Sequence, residues 1–338
     1  MAKVAINGFG RIGRAIFKIM LDTPELEVVG LNDIVPPDNL AYLLKFDTVY
    51  GRYEKTVDHT EHSLIVDGKE YPVYSIKDPS QLPWQELGVD IVIESTGVFT
   101  KSDDLKKHIE AGANYVILSA PVKGDGIGTV VHGVNKPGEP AQIISCASCT
   151  TNAITPAMEI MNRRIGVKKA LMTTVHAYTA SQKLVDSPSK KFRRGRAAAA
   201  NLVPTSTGAA IATTKAMPEL EGKFDGVAIR APVAVGSIAD IVFLAARPTT
   251  VEEVNQIFWE EAQTDRYGGI LGVTNEPLVS SDIIKDSRAA IIDVELTQVI
   301  DGDLVKIMSW YDNEWGYSSQ LVRETARMAR ELKELRQA

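Results

Sequence analysis

The segment Asn7-Gly8-Phe9-Gly10-Arg11-Ile12-Gly13 constrains this chain more than any other. Its glycines are spaced G-x-G-x-x-G, directly after the apolar run Val4-Ala5-Ile6 and before the helical stretch Arg14 to Leu21. The first glycine permits a tight turn, the second lets the backbone approach a pyrophosphate, and the third allows close helix–strand packing. The exposed N–H groups and the positive helix end then hold the anion. Alone the motif is weak, because any sharp strand-to-helix turn favours glycine. Here its context is complete. Val28-Val29-Gly30-Leu31 reads as a second strand, and Asp33 follows it, about 20 residues beyond the glycines, where a carboxylate accepts hydrogen bonds from an adenosine ribose. A dinucleotide-binding unit is expected.

The first half continues to alternate. Asn39 to Phe46 and Asp103 to Ala111 have helical spacing, while Asp90-Ile91-Val92-Ile93-Glu94 and Tyr115 to Leu118 read as buried strands. Such alternation predicts a Rossmann-type α/β fold, a doubly wound parallel sheet with right-handed crossovers. After a helix over Thr150 to Asn162 the pattern becomes β-rich: Ala170 to Val175, Gly226 to Ile229, Ile238 to Ala246, Ile291 to Val299 and Val305 to Tyr311. That half predicts an α+β domain, a mixed or antiparallel sheet with helices on one face. At 338 residues two domains are expected, 1–149 and 150–313. Glu314 to Leu335 has an amphipathic stripe of Leu321, Thr325, Met328, Leu332 and Leu335, so residues 314–338 are expected to pack back onto the first domain.

Composition removes several function classes. With 44% hydrophobic and 24% charged residues the chain can build a core, which argues against disorder. A net charge of −6 gives no bulk attraction for nucleic acid, and the basic run Lys190 to Arg196 is too short to reverse that. No uncharged apolar run reaches the ~18 residues of a membrane span, and Met1 leads directly into a strand pattern rather than a leader peptide. The two cysteines cannot form a disulfide scaffold, and a cytoplasmic protein is expected. With no second cysteine pair and no finger spacing among His59, His62, His108, His132 and His176, no metal site is expected.

Those cysteines stand in Cys146-Ala147-Ser148-Cys149, the second just before a predicted helix, where the helix dipole favours a thiolate. A buried structural cysteine and a redox C-x-x-C pair are the competing readings. His176, ending the run Leu171 to Val175, is equally ambiguous by itself.

Taken together, the motifs are more specific. The chain resembles, essentially from end to end, the phosphorylating glyceraldehyde-3-phosphate dehydrogenases. The resemblance is carried by the glycine segment with Arg14, Ser95-Thr96-Gly97-Val98-Phe99, Ala147-Ser148-Cys149-Thr150-Thr151-Asn152, His176-Ala177-Tyr178-Thr179 and Arg193-Arg194-Gly195-Arg196-Ala197-Ala198-Ala199. Pro204-Thr205-Ser206-Thr207-Gly208-Ala209-Ala210 and Trp310-Tyr311-Asp312-Asn313-Glu314-Trp315-Gly316-Tyr317 complete it. It implies Cys149 as nucleophile and His176 as its base. It implies an NAD site in which Gly8, Gly10 and Gly13 shape the loop and Arg11, Ile12 and Asp33 hold the adenosine end. Lys77 and Ser119 would line the cofactor path, and Asn313 would bind the nicotinamide carboxamide. Ser148, Thr150, Thr179, Arg194, Thr207, Gly208 and Arg230 would form two anion pockets, one for the substrate's phosphate and one for inorganic phosphate. It also implies a homotetramer, with the basic run folding over a neighbouring subunit's cofactor. Cys146, Ala153 and Lys77 stand where the family commonly has Asn, Cys and Arg.

The implied reaction is oxidative phosphorylation of glyceraldehyde 3-phosphate to 1,3-bisphosphoglycerate with reduction of NAD, through a thiohemiacetal and a thioester on Cys149. An erythrose-4-phosphate dehydrogenase is the near rival, but His176-Ala177-Tyr178-Thr179 keeps the triose form. Aspartate-semialdehyde dehydrogenases share the Cys/His logic without this set of segments. A redox sensor using Cys146 and Cys149 would have no need of Asn313, His176 or the two arginines.

Overall fold

Ala5, Ile6, Val92 and Ile93 have no exposed surface, because they belong to strands covered on both faces. In the computed structural model, which describes residues 1–137 and 141–336, the chain forms two units. The first comprises residues 1–130, 137–147 and 321–338, and the second comprises 131–136 and 148–320.

The first unit is built on β1 (Ala2–Asn7), α1 (Arg11–Met20), β2 (Leu26–Asn32), α2 (Pro37–Lys45), the short pair β3 (Phe46–Asp47) and β4 (Gly51–Arg52), then β5 (Val57–His59), β6 (Ser63–Val66) and β7 (Lys69–Tyr74). It continues with α3 (Trp84–Leu87), β8 (Ile91–Glu94), α4 (Ser102–Glu110), β9 (Tyr115–Leu118), β10 (Gly128–Thr129) and β11 (Ile143–Ser145). The sheet order is β10-β11-β9-β8-β1-β2-β7-β6-β5. From β10 to β7 every pair is parallel, as the alternation predicts. The antiparallel edge β5-β6-β7 has no counterpart in the sequence reading, because its short strands interleave polar residues. Its available signal is the dipeptide Asp67-Gly68, whose φ of 47° and 79° suit a two-residue hairpin turn. The chain leaves β1 toward β2 on one side and meets β8 on the other. The carboxyl end of β1 is therefore a topological switch point, where open α/β sheets bind ligands.

The second unit contains α5 (Cys149–Arg164), β12 (Val167–Ala177), β13 (Val203–Ser206), α6 (Ala209–Ala216), β14 (Phe224–Ala231), β15 (Ser237–Ala245), α7 (Val251–Ala262), β16 (Leu271–Thr274), β17 (Ala290–Ile300) and β18 (Leu304–Tyr311). Its sheet, β13-β14-β12-β15-β18-β17-β16, is mixed: β12/β14 and β16/β17 are parallel and the remaining pairs antiparallel. Along β15 burial alternates, with Ala239, Ile241, Phe243 and Ala245 turned into the core beneath α5, α6 and α7. The opposite face leaves Leu171, Val175 and Val227 exposed. Helix α8 (Trp315–Leu335) divides at Leu321, beyond which it belongs to the first unit and buries Leu321, Met328 and Leu332.

Candidate active site

The glycine turn has the stereochemistry its sequence demands. Gly8 has φ +94°, and a Cβ there would lie 2.5 Å from the Thr96 amide nitrogen. A Cβ on Gly13 would stand 2.1 Å from the Gly8 carbonyl oxygen, whereas one on Gly10 would meet nothing. Only the Gly10 side is open. Gly10 caps α1 without a side-chain hydrogen bond and no acidic residue occupies the first turn, so the amides of Arg11, Ile12 and Gly13 suit an anion. The Phe9 amide donates to Asp33 Oδ2 at 2.7 Å and the Val35 amide to Oδ1 at 3.0 Å, fixing the carboxylate beside the turn. The Arg11 guanidinium is drawn onto Asp47 and over the Tyr50 ring, which leaves its backbone to the loop. Lys77 is exposed just after Ile76, which Asn32 binds through both backbone atoms. Ser119 follows β9, with its amide on the Glu94 carbonyl. An open anion-binding turn flanked by a fixed carboxylate fits a dinucleotide.

In the second unit Cys149 is the first residue of α5. Ser148 caps that helix: its Oγ accepts from the Thr151 amide at 3.1 Å. The preceding Ala147 holds a left-handed φ of 55°, unfavourable for a residue with a Cβ. His176, one residue before the end of β12, brings Nε2 to 3.3 Å from Cys149 Sγ. Its Nδ1 lies between the Ala177 carbonyl at 2.7 Å and the donor-only Arg230 Nη1 at 2.6 Å; the tautomer protonated on Nδ1, bonded to the carbonyl, is the one that leaves the Nε2 lone pair toward sulfur.

Electrostatics set the resting state of this pair. Burial pushes the Cys149 thiol up, outweighing the opposing pull of the Arg230 cation and of hydrogen bonds at the head of α5. Burial, helped by Arg230 and Arg194, pushes His176 down to about 3. The pair therefore rests as thiol and neutral imidazole; the helix dipole that the sequence suggests as thiolate stabiliser does not decide the balance.

Arg230, paired in register with His176 across β12 and β14, donates from Nη1 to the Ala177 carbonyl at 3.0 Å. Arg194 is held by Thr205 Oγ1 at 2.9 Å and the Ser206 carbonyl at 3.3 Å. Thr150 Oγ1 meets the Tyr311 hydroxyl at 2.9 Å, and Tyr311 meets Thr174 at 2.8 Å. The Tyr311 ring packs edge-on to His176. Thr179 pairs with Ser181, while Thr207 accepts from the Ala209 amide beside Gly208 at the start of α6. Among the described residues, no hydrogen bond joins Thr179, Thr207 or Gly208 to Cys149, His176 or Arg230. Asn313 Oδ1 accepts from the Gly236 amide at 3.2 Å and from Ser237 Oγ at 3.0 Å, which turns its NH₂ away from them. Ser237 in turn accepts from the Ala177 amide at 3.1 Å. Ser237 and the role of Tyr311 were not legible beforehand; the only signal is a hydroxyl at the end of an apolar strand.

A cysteine nucleophile paired with a bare imidazole nitrogen can attack a carbonyl carbon, and nearby guanidinium groups can hold an anionic substrate. Residues 148–313 match the glyceraldehyde 3-phosphate dehydrogenase C-terminal domain, and residues 2–102 match the NAD-binding domain of the same proteins.

The chain belongs to the glyceraldehyde 3-phosphate dehydrogenase family.

Similarity to its members runs nearly end to end. The chain is 48% identical to glyceraldehyde-3-phosphate dehydrogenase of Streptomyces coelicolor over 334 residues, 98% of this chain and 99% of the relative. It is 51% identical to that of Thermotoga maritima over 326 residues, 95% and 97% of the two chains. The Geobacillus stearothermophilus enzyme is 47% identical over 330 residues, 97% and 98%. The family's NAD-binding domain coincides with the glycine turn and Asp33, and its C-terminal domain holds Cys149, His176, Arg194, Arg230 and Asn313. No helix among the described residues is long and apolar enough to cross a membrane.

Proposed function

We propose that this chain oxidises glyceraldehyde 3-phosphate to 1,3-bisphosphoglycerate, with NAD and inorganic phosphate as co-substrates. The observation that carries the reading is the 3.3 Å contact between Cys149 Sγ and His176 Nε2 at the head of α5, with Arg230 held beside it. Residues 1–149 bind NAD through Gly8, Gly10, Arg11, Ile12, Gly13, Asp33, Lys77 and Ser119. Residues 150–313, with Cys149 at their head, carry the chemistry and contribute Asn313 to the nicotinamide.

His176 Nε2 takes the thiol proton as Cys149 Sγ bonds to the aldehyde carbon and passes it to the former carbonyl oxygen, forming a thiohemiacetal and leaving the imidazole neutral. Bound NAD supplies the acceptor for the hydride that this carbon then loses. His176 removes the hydroxyl proton in the same step, and the product is a thioester on Cys149. The Cys149 amide and the imidazole donate to the oxygen that carries developing charge. A phosphate oxygen next attacks the thioester carbon, the C–S bond breaks, and Cys149 is restored. Arg230 and Arg194, with Ser148, Thr150, Thr179, Thr207 and Gly208, hold the two phosphates; planar guanidinium groups suit this through bidentate contacts.

The reading extends to a homotetramer in the cytoplasm. Leu184, Val185, Phe192 and Leu202, all exposed on the segment between β12 and β13, support burial by another copy. Neither Cys146 nor Cys149 is in a disulfide, which suits a reducing compartment.

The deciding assay supplies glyceraldehyde 3-phosphate, NAD and phosphate, singly omitted in turn. Steady NADH formation is expected only with all three. Omitting phosphate should leave a burst of about one NADH per chain, the signature of an accumulated acyl-enzyme. Steady turnover without phosphate, or preference for erythrose 4-phosphate, would overturn the assignment. Light scattering of the purified chain tests the tetramer, and cell fractionation the compartment.

A further inference from the structure

The first unit contains a buried polar network that none of the roles above uses. Its centre is Glu94, the last residue of β8, with no exposed surface. Oε1 accepts from both the amide and the hydroxyl of Thr96, the amide at 2.8 Å. Oε2 accepts from Asn7 Nδ2 and from His108 Nε2, the latter at 3.1 Å. One carboxylate thus collects four donors from β1, α4 and the turn after β8.

The direction of every bond is fixed by partners that act in one sense only. The Trp84 indole N–H can only donate, and it lies 3.0 Å from His108 Nδ1. Nδ1 is therefore the acceptor and the ring proton stands on Nε2, aimed at Glu94. Asn7 gives its NH₂ to Glu94, so its Oδ1 faces Asn32 Nδ2 at 2.7 Å. Asn32 Oδ1 then accepts from the Ile76 amide at 3.0 Å, while Nδ2 also reaches the Ile76 carbonyl at 2.9 Å. The ordered chain ends on Asn7, Asn32, Ile76 and Thr96. The residues next to the first three are Gly8, Asp33 and Lys77. The fourth end lies against the glycine turn: Ser95 Oγ donates to the Gly8 carbonyl at 2.7 Å, and Gly8 leaves no room for a Cβ against Thr96.

We infer that Glu94 is a positioning residue for the dinucleotide: its carboxylate sets the register of the glycine turn, of Asp33 and of Lys77 from beneath. This rests on the NAD reading of the first unit. A buried carboxylate is a costly way to hold strands that apolar side chains would hold as well. An acceptor-only group at the centre supplies something apolar packing does not, a fixed orientation for each neighbouring amide.

The test is Glu94→Gln, equal in shape, which places an NH₂ against two donors whichever way it turns. Binding of NAD is read by quenching of intrinsic tryptophan fluorescence, and alkylation of Cys149 without NAD reports the second unit. The dissociation constant for NAD should rise by about tenfold or more, with kcat at saturating NAD and the alkylation rate within about threefold of the parent chain. Adding Asn7→Asp supplies an acceptor for the new NH₂ and should recover much of the affinity, which lost stability alone does not explain. An unchanged dissociation constant in a Glu94→Gln chain that still alkylates normally overturns the inference. Absence of NAD binding by the parent chain would instead overturn the reading beneath it. If Glu94→Gln does not fold, Trp84→Phe removes the donor that fixes the His108 tautomer. Nitrogen NMR should then show the His108 proton shared between Nδ1 and Nε2 and NAD affinity reduced; an unchanged tautomer with unchanged affinity overturns the inference.

Discussion

Arg230 Nη1 stands 2.6 Å from Nδ1 of His176, while the same nitrogen of the imidazole faces the Ala177 carbonyl. A permanent cation and the ring thus compete for one acceptor, and the cation is among the causes that depress His176. The same charge draws the Cys149 thiol down against its burial. An anion taken up by Arg230 would offset that charge and return basicity to His176 when substrate is in place. Arg230→Gln is therefore expected to raise both groups: the midpoint of Cys149 alkylation against pH moves upward, and His176 titrates nearer its ordinary range. Turnover of glyceraldehyde 3-phosphate should lose more kcat/KM than turnover of unphosphorylated glyceraldehyde. A midpoint that moves down, or equal losses for the two aldehydes, contradicts this account.

His176 also links stability to pH. Its value in the folded chain, about 3, lies below the ordinary 6.5, so the unfolded state binds the extra proton between those limits. Stability from this group is complete above about pH 6.5 and is lost as pH falls toward 3, at up to about 1.4 kcal/mol per pH unit. Replacing His176 with Asn removes this slope, so the parent chain should lose stability relative to the variant as the solution is acidified from about pH 6.5 toward 3. In turnover the same variant should lose about 10²–10⁴-fold in the rate of hydride transfer, the usual contribution of a general base. A single-turnover rate nearly unchanged would place the base elsewhere.

Cys149→Ser is expected to abolish turnover and leave NAD affinity nearly intact, since the glycine turn and Asp33 lie in the other unit. Cys146 is buried in the first unit, and burial pushes its thiol well up, so it is a poor nucleophile. Cys146→Ala should keep most of the activity. Loss of turnover on this change, in a chain that still binds NAD, would give Cys146 a part in the chemistry.

What could be read beforehand was what is local. The glycine turn, Asp33 and the head of α5 are encoded within a few residues each, because loop stereochemistry and helix capping act over that range. The β5-β6-β7 edge escaped because strands of three to six residues with polar interruptions carry little periodicity. The polar contacts around the site escaped for a different reason. Thr150 and Tyr311 are 161 residues apart, Ala177 and Ser237 are 60 apart, and Asn7 and Glu94 are 87 apart. No spacing rule joins such pairs before the sheet is assembled.

Ser237 offers a test of one such contact. It bridges the Ala177 amide, next to His176, and Asn313 Oδ1, and so ties the base strand to the residue expected at the nicotinamide. Ser237→Ala leaves Asn313 with the Gly236 amide alone and frees its amide to turn. The expected result is a several-fold rise in KM for NAD, on the order of one lost hydrogen bond, about 1 kcal/mol. Alkylation of Cys149 should change little. Equal KM values for parent and variant would show that Asn313 is oriented by other means.

Cofactor choice follows from how Asp33 is held. Its two oxygens accept the Phe9 and Val35 amides, so the carboxylate is anchored and cannot swing away from an approaching group. The ribose hydroxyls of NAD can donate to its remaining lone pairs. A 2′-phosphate would instead meet like charge, and Leu31, Asn32, Ile34 and Val35 provide no cation to offset it. At an effective dielectric near 20, unit charges ~4 Å apart repel by about 4 kcal/mol before screening. Ser187, on the segment between β12 and β13, adds a neutral hydroxyl, not a cation, and donates it to the Val185 carbonyl at 3.2 Å. Preference for NAD over NADP by about tenfold or more in kcat/KM is therefore expected, which requires only about 1.4 kcal/mol of that repulsion to survive. Asp33→Ser should narrow the ratio by improving NADP more than it harms NAD. Both cofactors are compared with one aldehyde at fixed ionic strength, since salt screens the repulsion. Near-equal values in the parent chain would show that Asp33 does not set the choice; an unchanged ratio in Asp33→Ser would show that the discrimination is made by contacts other than this carboxylate.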